Sequence, residues 1–277
     1  MKKNDLMKFA TSIALLLVAY LPTIAWMADR WFAKESYYSH GVLIPLVSLF
    51  VIWQRRDALG KIRVSGSFAG LWIVAISLFV NIICAALKIY FISGFSLVFA
   101  IYGLVLFFFG KEMVRNMIFP LSFLFLMIPL PLVIIGNLTV KLKLLAAHLS
   151  TFVLNKVGFR CILDGSVILM PTSRLEVAAP CSGLRSIISL LTLGLLFAYA
   201  MKTSLLKKSI LFLSSIPIAI VTNVMRITIV AIVNDLYGGK VAMGAFHDFT
   251  GYMVFVAAFL GLFGVSKILE PGQNEAK

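Results

Sequence analysis

The sequence predicts an all-α polytopic membrane protein with about eight transmembrane helices, one interfacial helix and a short extracytoplasmic hairpin. Hydrophobic residues make up 61% of the chain and charged residues 13%, whereas soluble domains have roughly 45–50% and about 25%. Apolar runs of about 20 residues, long enough to cross the ~30 Å of hydrocarbon in a bilayer, recur along the 277 residues. Because no polar linker separates them, we interpret residues 1–277 as a single integral membrane domain.

The apolar runs define the predicted spans. The first follows the basic segment Met1–Lys8 and lacks a small-x-small cleavage site at its end, so we interpret it as a retained helix rather than a signal peptide. The run His40–Trp53 is short and marginal, and including it brings the count to eight. The other predicted spans are 68–87, 89–109, 116–135, 183–200, 209–232 and 250–267.

The segment between the fifth and sixth predicted spans has a different pattern. Residues 137–158 carry Lys141, Lys143 and His148 at helical spacing, which favours an interfacial helix over a span. Residues 159–177 alternate between apolar and polar side chains and contain Asp164-Gly165. This alternation and the turn residues predict a short hairpin.

Lysine and arginine residues cluster beside alternate ends of the predicted spans, at 2–8, 55–63, 111–115 and 202–208. By the positive-inside rule, these ends and both termini are cytoplasmic. The formal charge of +14 is therefore a topology signal, and we expect no nucleic-acid partner. The same orientation puts the beginning of the sixth and eighth spans, and the end of the seventh, at the outer face.

Three residues with reactive side chains fall at that outer face. Cys181, in VAAPCSGLRS, lies at the outer end of the sixth span, and His247, in FHDF, precedes the eighth. Arg226, in NVMRI, lies roughly 9 Å below the outer end of the seventh. Each has an ordinary alternative: a packing thiol, a loop histidine and a snorkelling arginine. A charge inside a span costs several kcal/mol, however, which favours a function for the arginine.

Together the three side chains are the components of acyl transfer. A thiolate at the start of a helix is stabilised by unpaired backbone N–H groups, and a neighbouring imidazole exchanges a proton with the thiol and the leaving amine. A guanidinium donates hydrogen bonds to a developing oxyanion in a low-dielectric site. We therefore interpret Cys181, Arg226 and His247 as a candidate catalytic set.

Two further residues of the same spans have candidate supporting roles. Arg185 shares a helix face with Cys181, where it stabilises the thiolate, binds a substrate carboxylate or anchors the helix at the interface. Asn223 lies on the same helix face as Arg226. We expect its side chain to hold the guanidinium.

The remaining candidates lie next to the reactive residues or near the amino terminus. Asp248 is expected to orient His247, and Ser182 and Gly183 to support the site beside the thiol, where the glycine permits close approach of backbone or substrate. His40 either binds substrate or has a structural role at the start of a short helix. No cysteine pair or His-Glu-x-x-His motif supports a metal site, and we expect no cofactor.

Four blocks of the sequence resemble those of the exosortase/archaeosortase family. They are the early YYSHGVLIPLVSLFVIWQRRDAL and, on the late spans, VAAPCSGLRS, IPIAIVTNVMRI and FHDFTG. A Cys, an Asn-x-x-Arg and a His in this order on a polytopic chain form a specific combination. The resemblance extends over residues 37–256, and its catalytic blocks lie within 177–251.

The resemblance implies a membrane-embedded cysteine protease or transpeptidase of the bacterial cytoplasmic (inner) membrane, with its active site on the extracytoplasmic side. By this likeness Cys181 is the nucleophile, Arg226 the stabilising cation and His247 the general acid/base. The implied substrates are exported proteins that end in a Pro-Glu-Pro-like motif, one transmembrane helix and a basic tail. Many such systems accompany exopolysaccharide and extracellular-matrix production, and the other implied partners are membrane lipid and an acceptor lipid or glycan.

Two other classes of function remain open from the sequence. An intramembrane arginine and the broken segment 129–136 are features that transporters and channels use for substrate paths. Against that reading, the chain has no inverted repeat, and its polar residues gather at one face rather than at the midplane. A non-catalytic subunit of polysaccharide export is the third class, and in it Cys181 is dispensable.

Overall fold

The computed structural model describes residues 3–242 and 244–270, with side chains throughout except at positions 3–6, 245, 247 and 248. Apart from one small sheet, its regular elements are helical, which agrees with the all-α prediction. The α-helices, in chain order, are α1 (Lys3–Ala19), α2 (Leu21–Trp31), α3 (Leu43–Gln54), α4 (Arg56–Leu59), α5 (Ala69–Ala86), α6 (Tyr90–Phe109), α7 (Lys111–Asn116), α8 (Ile118–Phe123), α9 (Leu132–Lys156), α10 (Leu184–Ala200), α11 (Leu205–Tyr237), α12 (Gly239–Ala242) and α13 (Ala245–Leu269).

The helices are those of a multi-pass membrane protein. Within the described residues, α5, α6, α9, α11 and the Phe249–Leu269 part of α13 are long and apolar enough to cross a bilayer. The pair α1 and α2, bent by 70°, raises the number to six if it forms one span. Helices α3 and α10, at the predicted second and sixth spans, have 12 and 17 residues. The count of eight therefore stays a prediction.

The largest difference from the predicted spans lies between residues 116 and 158. The predicted span 116–135 is divided into α8, a short 3₁₀-helix and the first residues of α9, with extended backbone at Ile128, where ψ is 115°. Proline disfavours a helical conformation in the residue before it and has no N–H to donate, so Pro129 and Pro131 end the helical path. The polar segment predicted to be interfacial belongs instead to α9, whose 25 residues form a candidate span.

The first 131 residues form one compact unit, which contains the bend between α1 and α2. Asn81 Nδ2 donates a hydrogen bond to the Ala19 carbonyl (3.1 Å). The Tyr20 hydroxyl donates to the Ser77 carbonyl (2.9 Å). In a bilayer, backbone groups freed by a break in a helix need partners within the protein, and Asn81 provides one for the Ala19 carbonyl.

The second unit begins at Leu132 and is built around α11. With 33 residues, this helix is roughly 50 Å long, and it packs against α9, α10 and α13. The three signature blocks predicted to carry the chemistry all belong to this unit, whereas the early block at 37–59 belongs to the first. Whether the chain forms a single domain stays a prediction.

A three-stranded antiparallel sheet lies between α9 and the start of the cysteine block. Its strands are β1 (Ile162–Asp164), β2 (Val167–Leu169) and β3 (Arg174–Glu176), in the order β1-β2-β3. The predicted hairpin is confirmed by the pairing of Asp164 with Val167, and Gly165 adopts the left-handed conformation, with φ of 59°, that tight hairpin turns favour. The third strand was not predicted.

Polar contacts join the last turns of α11 to this sheet. Asn234 Nδ2 donates to the Arg174 carbonyl (3.3 Å). The Asp235 carboxylate accepts hydrogen bonds from Thr172 and from Ser173 (3.0 Å). These contacts extend α11 to Tyr237, beyond the predicted end at residue 232. Arg226 therefore lies roughly 16 Å from the helix end, rather than the predicted 9 Å.

Candidate active site

Cys181 lies on a short 3₁₀-helix, Ala179–Ser182, that precedes α10. Its N–H donates to the Ala178 carbonyl (2.9 Å), and its side chain is half-buried. Gly183 then takes the left-handed conformation, with φ of 84°, and α10 begins at the next residue. The thiol is thus carried by a turn of its own, one that needs glycine at its exit, and not by the first turn of the long helix.

The turn that carries the thiol is fastened to α11 by Asn223. The Asn223 Nδ2 donates to the Cys181 carbonyl (2.9 Å), and the asparagine is 3% exposed. A Cβ at Gly183 would lie 3.0 Å from the Asn223 side-chain amide, so the glycine also permits this close approach. The predicted contact between Asn223 and the guanidinium of Arg226 stays a prediction, because the hydrogen bond described for Asn223 goes to the cysteine turn.

Arg226 and Cys181 line the same pocket. Arg226 is half-buried on α11, one turn after Asn223. The cavity has a volume of about 10 Å³, close to the space that a single water molecule needs. A peptide carbonyl can therefore reach the thiol only from the open side of the pocket or after side-chain movement. The other lining residues are Leu175, Glu176, Val177, Ile227 and Val230.

The third signature block approaches the same arginine through a glycine. A Cβ at Gly251 of α13 would lie 3.4 Å from Nη2 of Arg226, so the guanidinium packs directly against this helix. His247 is one turn earlier in α13 and therefore on the same helix face as Gly251. The side chains of His247 and Asp248 are outside the described residues, and their predicted roles stay predictions.

Sequence comparison gives the family. The model of the transmembrane exosortase family matches residues 26–264. The chain belongs to this family. No curated protein and no solved structure matches the chain. The match includes the cysteine block, the Asn-x-x-Arg block and the histidine block of this exosortase.

Other predicted site residues of the exosortase lie around the turn or in the first unit. Ser182 is buried, and its hydroxyl accepts a hydrogen bond from the Leu184 N–H (3.4 Å), which supports the exit of the turn. Arg185 is exposed in the first turn of α10. His40 belongs to the first unit, where its ring stacks on Tyr38 with centroids 6.1 Å apart in a 3₁₀-helix before α3. That position fits the structural alternative for His40.

Glu176 lines the pocket of Cys181 and Arg226, and sequence reasoning did not single it out. It lies on β3, beside two buried neighbours, Leu175 and Val177. The available signal was the predicted hairpin at 159–177, which ends directly before the cysteine block and therefore brings its last charged residue close to the thiol.

The environments of the three cysteines differ. Cys84 and Cys161 are buried, whereas Cys181 is half-buried. Burial raises the pKa of the Cys161 thiol, and the nearby charge of Asp235 raises it further. A higher pKa means that less of this thiol is present as thiolate at a given pH. Cys161 is thus a poor nucleophile at neutral pH.

We predict that a maleimide reagent labels Cys181 of the detergent-solubilised protein at pH 7 and leaves the other two cysteines unmodified. Burial protects Cys84, and burial together with a raised pKa protects Cys161, whose labelling should increase only as the pH rises. Peptide mass mapping measures the modification at each site. The Cys181→Ala protein is the control and should remain unlabelled. Modification of Cys84 or Cys161 ahead of Cys181 would contradict this prediction.

Replacing Asn223 with alanine removes the donor to the Cys181 carbonyl, and we expect the free energy of unfolding to fall by about 1–3 kcal/mol. The rate of Cys181 labelling should change as well, because the turn loses its anchor. Thermal unfolding and the labelling time course measure the two effects.

Asn155→Ala is the matched control for Asn223→Ala. Asn155 bonds both backbone groups of Cys161, each at 3.0 Å, so its loss should destabilise the protein without altering the labelling of Cys181. If Asn223→Ala and Asn155→Ala change that labelling equally, Asn223 does not position the thiol.

Proposed function

We propose that this exosortase-family protein is a cysteine protease or transpeptidase that cleaves the C-terminal Pro-Glu-Pro-type sorting signal of exported proteins. The reaction takes place at the outer face of the bacterial cytoplasmic membrane and is linked to exopolysaccharide and matrix production. The observation that supports it is the shared pocket of Cys181 and Arg226, since a thiol and a guanidinium from distant parts of the chain meet at one cavity.

The first step forms a thioester. The Cys181 thiolate attacks the scissile carbonyl, and the guanidinium of Arg226 donates hydrogen bonds to the oxygen as it becomes negative. Such stabilisation is strongest where the donor is fixed and partly shielded from water. Packing of Arg226 against Gly251 restricts the guanidinium in this way.

Proton transfer falls to His247. Its imidazole takes the thiol proton and returns it to the nitrogen of the leaving segment, so that the C–N bond breaks and the tail helix departs with a neutral amine. Asp248 orients the imidazole. Arg185, exposed beside the site, binds a substrate carboxylate. Water or the amine of a lipid or glycan acceptor then releases the exported protein from Cys181.

The proposed orientation keeps both termini in the cytoplasm and uses eight crossings. This count treats the bent pair α1 and α2 as one span and includes the short helices α3 and α10. In it, α9 takes the place of the predicted span 116–135. The alternation of sides along the chain is then unchanged. The basic segments at 55–63, 111–115 and 202–208 remain inside, and the sheet and the cysteine turn lie outside.

Co-expression with a reporter that bears a C-terminal Pro-Glu-Pro-type signal tests this function. The native protein should shorten the reporter, and the product mass should identify the cleaved bond. We expect Cys181→Ala and His247→Ala to abolish or strongly reduce processing, and Arg226→Ala to lower its rate roughly 10²–10³-fold, as for other oxyanion donors.

Cys161→Ala is the matched control, because it removes a thiol that lies outside the pocket, and it should process the reporter normally. Insertion of each variant is checked by its abundance in the membrane fraction. Native-rate processing by Cys181→Ala would exclude the mechanism. A transporter or an export subunit would leave the reporter intact in every case.

A further inference from the structure

The pocket has two walls with different chemistry. Arg226, Ile227 and Val230 of α11 form one wall, and Leu175 to Val177, at the end of β3, form the other. Among the lining residues, the ionisable side chains are Cys181, Arg226 and Glu176. The mechanism above uses the first two and leaves the carboxylate without a role.

The Glu176 carboxylate is exposed and, within the described part of the chain, makes no hydrogen bond or ion pair. Its two chain neighbours are buried: Leu175, in β3, is 6% exposed, and Val177, directly after the strand, is 2% exposed. The polar and charged residues at 172, 174 and 176 are exposed along this segment, which indicates a water-facing surface. Glu176 therefore lies at the rim of the pocket, on its aqueous side.

The backbone beneath Glu176 is held in place from both sides. Glu176 pairs with Val167 in the sheet, and the Val177 N–H donates to the Ser166 carbonyl (2.9 Å). The turn before β3 is bonded to Asp235 at the end of α11. The same helix thus fixes the position of Arg226 and of the strand that carries the carboxylate.

We propose that Glu176 is the catalytic base for the second half of the reaction and that the nucleophile it activates is a primary amine. This assignment rests on the proposed thioester mechanism. A carboxylate accepts protons and attracts cations, and a primary amine is a protonated, non-nucleophilic cation at neutral pH until a base removes its proton.

The step balances as follows. Glu176 takes a proton from the incoming ammonium, whose nitrogen then attacks the thioester carbonyl. The C–N bond forms, the C–S bond breaks, and the Cys181 sulfur leaves as a thiolate. The second proton of the attacking nitrogen passes to this sulfur, and Glu176 releases its own proton to water. The amide product forms and the free thiol of Cys181 is regenerated, without an oxidant or a reductant.

The arrangement of the two walls favours one group that protonates the leaving segment and another that activates the acceptor. Arg226 packs against Gly251 of α13, the helix that also carries His247, the proposed proton donor to the leaving segment. Glu176 belongs to the other lining segment and is exposed, where an acceptor from water can reach it. A separate base for the acceptor leaves His247 to serve the leaving segment alone.

Glu176→Gln tests the assignment because it keeps the size of the side chain and removes its basicity. The purified protein is mixed with the signal-bearing reporter at pH 7, and intact-protein mass spectrometry follows the thioester adduct. Ethanolamine is the amine acceptor, and hydroxylamine, which is neutral at this pH, is the acceptor that needs no base.

In Glu176→Gln we expect the adduct to form at a rate within about twofold of native and to accumulate. Its transfer to ethanolamine should slow roughly 10²-fold, the scale of general base catalysis, while release by hydroxylamine stays near native. Arg174→Gln is the matched control, since it changes an exposed charge two residues earlier in the same strand that does not line the pocket. This variant should behave as native.

Three outcomes would overturn the assignment. One is native transfer to ethanolamine by Glu176→Gln; another is equal slowing with both acceptors, which indicates a structural role. The third is failure to form the adduct in a variant whose thermal unfolding and Cys181 labelling are native. If the native protein itself forms neither adduct nor product, the proposed function fails first, and that result is distinguishable because it does not depend on Glu176.

Discussion

The geometry of the site depends on the hydrogen bond from Asn223 to the Cys181 carbonyl, because it joins the turn that carries the thiol to the helix that carries the arginine. The 3₁₀-turn packs against α9, α10 and α11, and the hydrogen bond from Asn223 at 2.9 Å adds a directional link between its backbone and α11. Since Asn223 and Arg226 are one turn apart on α11, the position of the turn relative to the guanidinium is set by helix geometry.

Helix α11 also fixes the position of the other wall of the pocket. Asn223 holds the cysteine turn, and Asn234 and Asp235, about two turns beyond Arg226, hold the sheet. A rigid helix that bonds to both neighbours fixes the distance between them. The site is therefore built from the cysteine turn and the sheet, two short segments of low intrinsic stability. Both are attached to α11, a long helix that is stabilised by packing.

Composition and charge pattern predicted the class of fold, because a bilayer imposes the same length and apolarity on each span. They also predicted that Cys181 and Arg226 lie near the same membrane face; the two line one pocket, although Arg226 lies deeper along α11 than predicted. The break near Pro129 was recognised in the sequence, but the span 116–135 was still predicted as continuous, since hydropathy does not register the loss of a backbone donor. The charges of Lys141 and Lys143 made α9 resemble an interfacial helix, although its 25 residues form a candidate span. Contacts such as Asn223 with the cysteine turn depend on tertiary packing, which no local pattern specifies.

The two walls of the pocket carry opposite charges, a difference that suits the two steps of the proposed acyl transfer. The first step creates negative charge on the carbonyl oxygen, which a fixed cation stabilises. The second step requires removal of a proton from the acceptor nucleophile, the role that we propose for the Glu176 carboxylate at the rim. Glu176 attracts a cation to the rim of the pocket, whereas Arg226 repels it from the thiol. Under the proposed mechanism, this charge distribution favours an acceptor amine that has lost its proton before it reaches Cys181.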